Sequence, residues 1–141
     1  MGTEKSPYCN CLYYSANALS RLMTRMADEE FALAGVSSSY AFLLMTVNGQ
    51  PGIQPKEISQ KMQLTPSTVT RLVEKMEARG LLERKSSGRA TEVYPTEKSQ
   101  ELQPRIQEAW QNLYRRYANI LGEKASQALT SAIYEASRLL E

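Results

Sequence analysis

Six side chains between residues 67 and 79 share one chemistry: Ser67, Thr68, Thr70, Arg71, Lys75 and Arg79 offer three hydroxyls, one ammonium and two guanidinium groups. A hydroxyl donates or accepts, a guanidinium grips two acceptors at once, and an ammonium supplies a point charge. That set suits a polyanion whose surface also carries hydrogen-bonding edges. Arg84, Lys85 and Arg89 follow in a stretch, residues 84 to 91, that contains no acid, so nothing local opposes an anion there.

The residues between them dictate the element that presents this set. In LTPSTVTRLVEKMEARGLL, residues 64 to 82, Thr65 is placed to cap a helix whose first position is Pro66, where a missing N–H costs nothing. Gly80 can turn left-handed just past the end, and Leu81 can fold back on Met76. Val69, Leu72, Val73 and Met76 fall at i, i+3, i+4 and i+7, which makes one apolar stripe and leaves the polar set on the opposite face. Upstream, Pro55 suits a second helix start, and Ile58 with Met62 forms an apolar pair. Only about three residues separate the two helices, and this is the spacing of a helix-turn-helix.

Beyond the quoted helix, Leu82 to Lys85 and Thr91 to Tyr94 read as two short strands around a Ser-Ser-Gly-Arg-Ala turn, a hairpin with Arg89 near its tip. Pro95 cannot donate to a ladder, so the hairpin is expected to end at Tyr94. The flanks are helical. Leu12, Ala16, Leu19, Met23 and Met26 form a stripe from Cys11 to Glu30, and Ser37 is placed to cap a helix that ends near Asn48 and Gly49. Leu102, Ile106, Ala109, Leu113, Tyr117 and Ile120 continue to Gly122, with Pro104 in or near the first turn. Ala125, Leu129, Ala132, Ala136 and Leu140 mark a last helix. These terminal segments carry more apolar surface than a small central core can cover, so a two-fold dimer is expected; a six-helix monomer is the alternative.

Bulk properties exclude several classes. At 141 residues with 42% hydrophobic and 23% charged content, the chain is one globular unit, residues 1–141. The net charge of +2 argues little, but residues 55 to 98 hold nine Lys or Arg against six Asp or Glu, which concentrates the positive excess around the quoted helix. The absence of histidine removes His-assisted nucleophiles and the common zinc sites, and the seven glycines never form G-x-G. Glu74 with Glu77, and Glu29 with Glu30, read as solvated helix faces. No catalytic residue, metal site or cofactor is expected, and the chain is not read as an enzyme. No apolar run reaches a membrane span, and MGTEKSPYCNC lacks the apolar centre of a secretory signal. Met1, Gly2 and Ser6 match a short acylation pattern that is weak in isolation. Two cysteines two apart make no disulfide framework, and a cytoplasmic location is expected.

With this order of elements, the chain resembles the MarR family of bacterial transcriptional regulators over nearly its whole length, most specifically in STVTRLVEKMEARGLLERK. The resemblance implies a mainly α fold with a small β-hairpin wing: a winged helix-turn-helix core over residues 37–96, flanked by dimerisation helices at 8–34 and 97–141. It implies a homodimer on double-stranded DNA, probing a near-palindromic operator, with repression relieved by a small-molecule or oxidative signal. Ser67, Thr68, Thr70, Arg71 and Lys75 would then face the major groove, Arg71 reading bases, while Arg79, Arg84 and Lys85 hold phosphates and Arg89 enters the minor groove. A winged-helix module that binds protein instead of DNA is the alternative.

The chain departs from the family pattern at the wing, where Ser87 replaces an acid and Pro95 a leucine, so the wing arginine is expected to be held weakly. Near the N-terminus, Cys9 and Tyr13 keep the spacing seen in peroxide-sensing members, with Cys11 as a resolving thiol or a bystander and Tyr14 or Tyr40 as a second tyrosine; two inert cysteines are the simpler reading. The resemblance also implies a pocket for an aromatic ligand, for which Tyr13, Tyr14, Met23, Phe42 and Trp110 are candidates, although each taken singly reads more simply as core packing.

Overall fold

The computed structural model describes residues 4–141, so Met1 and Gly2 of the acylation pattern lie outside the described residues. The described residues form six α-helices and one hairpin: α1 Leu12–Phe31, α2 Ser38–Gly49, α3 Pro55–Met62, α4 Pro66–Ala78, β1 Leu82–Ser87, β2 Ala90–Pro95, α5 Glu97–Leu121 and α6 Glu123–Leu140, with a 3-10 turn at Ala32–Ala34 after α1. No single helix among the described residues is long and apolar enough to cross a membrane.

The core lies in the middle of the chain. Phe31 from α1, Leu43, Leu44 and Val47 from α2, Ile58 from α3, and Val69, Val73 and Met76 from α4 are buried together with Leu81, Val93 and Ile106. The expected apolar stripe of α4 is the face that meets this core, with Leu72 at its half-buried edge. Ile53 adds a piece that sequence periodicity does not show. This single residue bridges Val93, with Gly52 N–H to the Val93 carbonyl at 2.8 Å and Val93 N–H to the Ile53 carbonyl at 2.9 Å, so the hairpin is fastened to the loop before α3. Gly52 permits the approach: its φ is +88°, and a Cβ there would stand 3.2 Å from the Tyr94 hydroxyl.

Several boundaries differ from expectation for local reasons. Ser37 occupies the N-cap position of α2 but its hydroxyl makes no capping bond; the Asp28 carboxylate accepts from Ser38 N–H at 2.7 Å instead, an anion supplied by α1 to a helix N-terminus. The hairpin is tighter than a five-residue turn: Ser87 pairs with Ala90, which leaves a two-residue loop of Gly88 and Arg89. Gly88 has φ +64° and Arg89 does not have a positive φ, the signs of a II′ turn, whose twist matches the strands. Strand β2 also runs one residue beyond Tyr94. Pro95 faces Leu82, and the next N–H, from Thr96, bonds the Leu81 carbonyl at 3.2 Å. Antiparallel ladders alternate bonded and non-bonded pairs, so Pro95 sits where no donor is required. Pro104 is the eighth residue of α5 rather than part of its first turn.

The terminal helices are different. Among its twenty residues α1 buries only Ala27 and Phe31, and α6 buries only Ser126. Leu12, Leu22, Ile120, Leu129, Ile133, Leu139 and Leu140 remain exposed. Arg116 of α5 ties to α1 through Glu29 at 2.9 Å and Glu30 at 3.2 Å, and these carboxylates, Glu29 foremost, hold its guanidinium above its usual pKa.

Candidate nucleic-acid interface

Helix α4 is fixed at both ends by the residues expected to do so. Thr68 N–H reaches the Thr65 hydroxyl at 3.4 Å. At the other end Gly80, at φ +75°, donates to the Glu77 carbonyl and Leu81 to the Met76 carbonyl, both at 2.9 Å, with Leu81 and Met76 buried against each other's side of the core. Those are the two bonds of a Schellman stop. The turn before α4 has no glycine, and Gln63 takes the left-handed conformation in its place (φ 55°, ψ 46°). Ser59 secures it from α3: its carbonyl accepts from Leu64 N–H at 3.1 Å and its hydroxyl donates to the Leu64 carbonyl. On the far side of α3, Glu57 accepts from the Gln54 N–H and the Gln50 amide, so the first helix of the pair is anchored too.

The outward face of α4 shows Ser67, Thr70, Arg71, Glu74 and Lys75, all exposed. Lys75 has no side-chain partner among the described residues, and Arg71 makes only a 3.5 Å contact to the Thr68 hydroxyl, at the limit of a hydrogen bond. Arg89 stands exposed at the hairpin tip, also without a partner among the described residues, and Ser87 gives it no bond, as the replacement of an acid there leads one to expect. Lys75 and Arg89 are thus uncommitted among the described residues, while the Ser67 hydroxyl stands 3.4 Å from that of Thr65.

Five other expected contacts are engaged within the chain. Thr68 is half-buried and belongs to the N-cap, its hydroxyl 2.9 Å from that of Thr65. The Thr70 hydroxyl donates to the Pro66 carbonyl at 3.1 Å. Arg79 donates to the Gly35 carbonyl at 3.1 Å, and Arg84 pairs with Glu77 at 2.8 Å. The Lys85 ammonium lies 4.7 Å from the Tyr94 ring centroid, and Tyr94 in turn donates to Glu92 at 3.1 Å. That bond to a carboxylate, reinforced by its charge, raises the Tyr94 pKa above its ordinary value. Sequence spacing has no means of showing these partners, because Gly35 is 44 residues from Arg79 and Glu77 meets Arg84 only after the chain reverses at Gly80.

The five residues expected to line one pocket separate within the chain. Met23 and Phe42 border an open cleft of about 490 Å³ between α1, α2 and α3, together with Ser38, Thr46 and Lys61. Trp110 packs edge-on against Phe42 at 5.8 Å but opens onto a different cleft beside Tyr114 and Tyr117. Tyr13 is 79% exposed near the start of α1, and Tyr14 beside it packs on Tyr8 at 5.2 Å. From Tyr13 to Met23 a helix advances about 15 Å, too far for one small cavity. Cys9 and Cys11 are free and exposed; Cys11, not Cys9, takes the N-cap position of α1. Among the described residues, no group of three or more His, Cys, Asp or Glu could hold a metal ion.

Residues 34–90 match the model of the MarR family. The fold matches solved structures along nearly the whole chain. The transcriptional repressor CouR, solved bound to p-coumaroyl-CoA and bound to a 23-mer DNA duplex, is 17% identical, with a TM-score of 0.85 over 97% of this chain and 99% of that one. The PcaV transcriptional regulator from Streptomyces coelicolor, in complex with its natural ligand, is 14% identical, with a TM-score of 0.84 over 99% of this chain and 100% of the other. S. aureus MepR in a DNA complex is 16% identical, with a TM-score of 0.78 over 97% and 100%. At these identities the likeness shows the fold. No curated protein matches by sequence.

Proposed function

We propose that this chain, whose residues 34–90 match the MarR family model, binds an operator as a homodimer and represses transcription until a small molecule releases it. MarR-family proteins are transcriptional regulators, not enzymes. The observation that carries the DNA reading is the outward face of α4: Ser67, Arg71 and Lys75 project from a helix held at both ends, Ser67 and Arg71 with only long contacts of 3.4 and 3.5 Å to the cap hydroxyls and Lys75 with no side-chain partner among the described residues. A rigid rod with free donors and cations suits phosphates and base edges. The same face carries no large apolar group, which a protein hot spot would need.

In this reading α4 enters the major groove. Arg71 grips a guanine edge with both arms of its guanidinium, while Ser67 and Thr70 make short contacts and Lys75 neutralises a phosphate. Arg89, at the tip of the hairpin, reaches the neighbouring minor groove. The exposed apolar faces of α1, α5 and α6 meet a second copy and set the two α4 helices about 34 Å apart, one turn of B-DNA, so that each reads half of a near-palindrome. The cleft beside Phe42, one wall of which is α1, takes the releasing ligand, and Lys61 offers it one cation. A ligand with greater affinity for one spacing of the α4 pair shifts the equilibrium toward it.

Titrating the protein with a duplex selected from random sequence, at several salt concentrations, tests this. Binding should weaken with a log–log slope of about 0.9 per phosphate neutralised, and the selected sites should show two-fold symmetry. Selected sites without symmetry remove the dimer from the account, and no binding at low ionic strength removes the DNA.

A further inference from the structure

We propose that Arg79 is a positioning residue that sets the pitch of α4 from behind and touches no DNA itself; this rests on the reading of α4 as the DNA-reading helix. A helix C-terminus leaves carbonyls without intrahelical partners. Here the C-cap and the two residues after it are held from α5, and the Arg79 side chain adds a second direction. The Arg79 carbonyl accepts from the Lys98 ammonium at 3.2 Å, the Gly80 carbonyl accepts from the Thr96 hydroxyl at 2.7 Å, and the Leu81 carbonyl accepts from Thr96 N–H. All three donors sit at the start of α5. The Arg79 side chain runs the opposite way, to the Gly35 carbonyl at 3.1 Å.

Gly35 is a firm anchor. It is left-handed at φ +73°, its N–H bonds the Ala32 carbonyl at 2.9 Å, and three residues later Ser38 N–H is held by Asp28 of α1. The end of α4 is therefore braced between the α1–α2 connection and α5. Recognition helices put their N-terminal residues on base edges, and Arg79 lies about 20 Å from Pro66 along the axis, at the end remote from that contact. Two cations at this end also complement the negative pole of the helix. A rod gripped only by its tip can swing; braced at its base, it presents Ser67 and Arg71 at one angle.

The brace and a phosphate contact leave different marks. A phosphate contact contributes to every sequence alike, whereas an angle matters only where base edges must be met. The test compares Arg79→Ala with the unaltered full-length protein on a selected operator duplex and on a scrambled duplex, across salt concentrations. Expected is a loss of roughly tenfold on the operator, the scale of one charge-assisted hydrogen bond, with scrambled-duplex affinity and salt slope unchanged. Lys98→Met, which removes the donor on the other side, should lower operator affinity in the same selective way. Equal loss on both duplexes, with a slope flatter by about 0.9, overturns the proposal and makes Arg79 a phosphate contact; no loss on either also overturns it. In the free protein, amide exchange at Gly80 and Leu81 should quicken in Arg79→Ala, and unchanged exchange refutes the brace whatever the DNA shows. Should the unaltered protein bind neither duplex, the DNA reading itself fails, and the exchange result still decides whether the brace exists.

Discussion

Helices α4 and α6 carry apolar residues at similar spacings and meet opposite fates. In α4, Val69, Val73 and Met76 are 2% exposed or less; in α6, Leu129, Ile133 and Leu140 are 41%, 47% and 77% exposed. The comparison teaches that periodicity announces a face to be covered without saying by what. One chain covers the face of α4. The faces of α6 and of the first half of α1 have no cover within it, and contiguous apolar surface of this kind marks an interface.

Disrupting the uncovered side should have the largest effect on function and the smallest on the module. Leu129→Glu with Ile133→Glu places charges on the open face of α6. We expect sedimentation to report a single subunit and operator affinity to fall at least 1,000-fold, about 4 kcal/mol, because one half-site contact no longer holds the other at the DNA. A double variant that still sediments as a dimer would refute the assignment of this face. The covered side answers differently. Met76→Ala should cost about 3 kcal/mol in denaturant unfolding, the cavity cost of a buried methionine, while Leu140→Ala, measured in the Leu129→Glu, Ile133→Glu single subunit, should stay within about 0.5 kcal/mol. Equal losses at the two positions would erase the distinction between covered and open faces.

What the sequence discloses follows the same division. The ends of α4 are legible because caps are local: Thr65, Pro66, Gly80 and Leu81 do in space what their order announces. The hairpin is legible in place but not in length, since Ser86, Ser87 and Ala90 have little strand preference and pair only because Gly88 turns the chain tightly. Ile53 is invisible, because a one-residue bridge has no period. The partners of half of the cationic set are hidden for the same reason: Gly35, Glu77 and Tyr94 are brought to Arg79, Arg84 and Lys85 only by the fold. Composition shows which residues can meet an anion. Only tertiary contacts show which are already occupied.

That separation sharpens into a pair of substitutions on α4. Arg71→Ala should cost about 2 kcal/mol of discrimination at one base pair in each half-site, within the range for a bidentate contact, while leaving the melting temperature unchanged. Lys75→Ala should weaken all duplexes alike and flatten the salt slope by about 0.9. Arg84→Ala, by contrast, breaks the pair with Glu77 and should affect DNA less than Lys75→Ala does, although both remove one positive charge. If Arg84→Ala flattens the slope as much as Lys75→Ala, the engaged arginine is reaching phosphate despite its partner.

A smaller effect lies in the turn between the two helices. Gln63 is left-handed where most helix-turn-helix turns would be eased by glycine, and a side chain in that conformation costs about 1–2 kcal/mol relative to its absence. Glycine there gains this back but frees the unfolded chain, which offsets about 0.5–1 kcal/mol. Gln63→Gly should therefore stabilise the protein by up to about 1 kcal/mol in denaturant unfolding, with DNA affinity unchanged because Ser59 still holds Leu64 from both sides. Stabilisation with reduced operator affinity would show that the stiffness of the Gln63 turn, and not only the bonds to Leu64, fixes the angle between α3 and α4. A loss of stability would mean that the left-handed geometry at this position carries no strain to relieve.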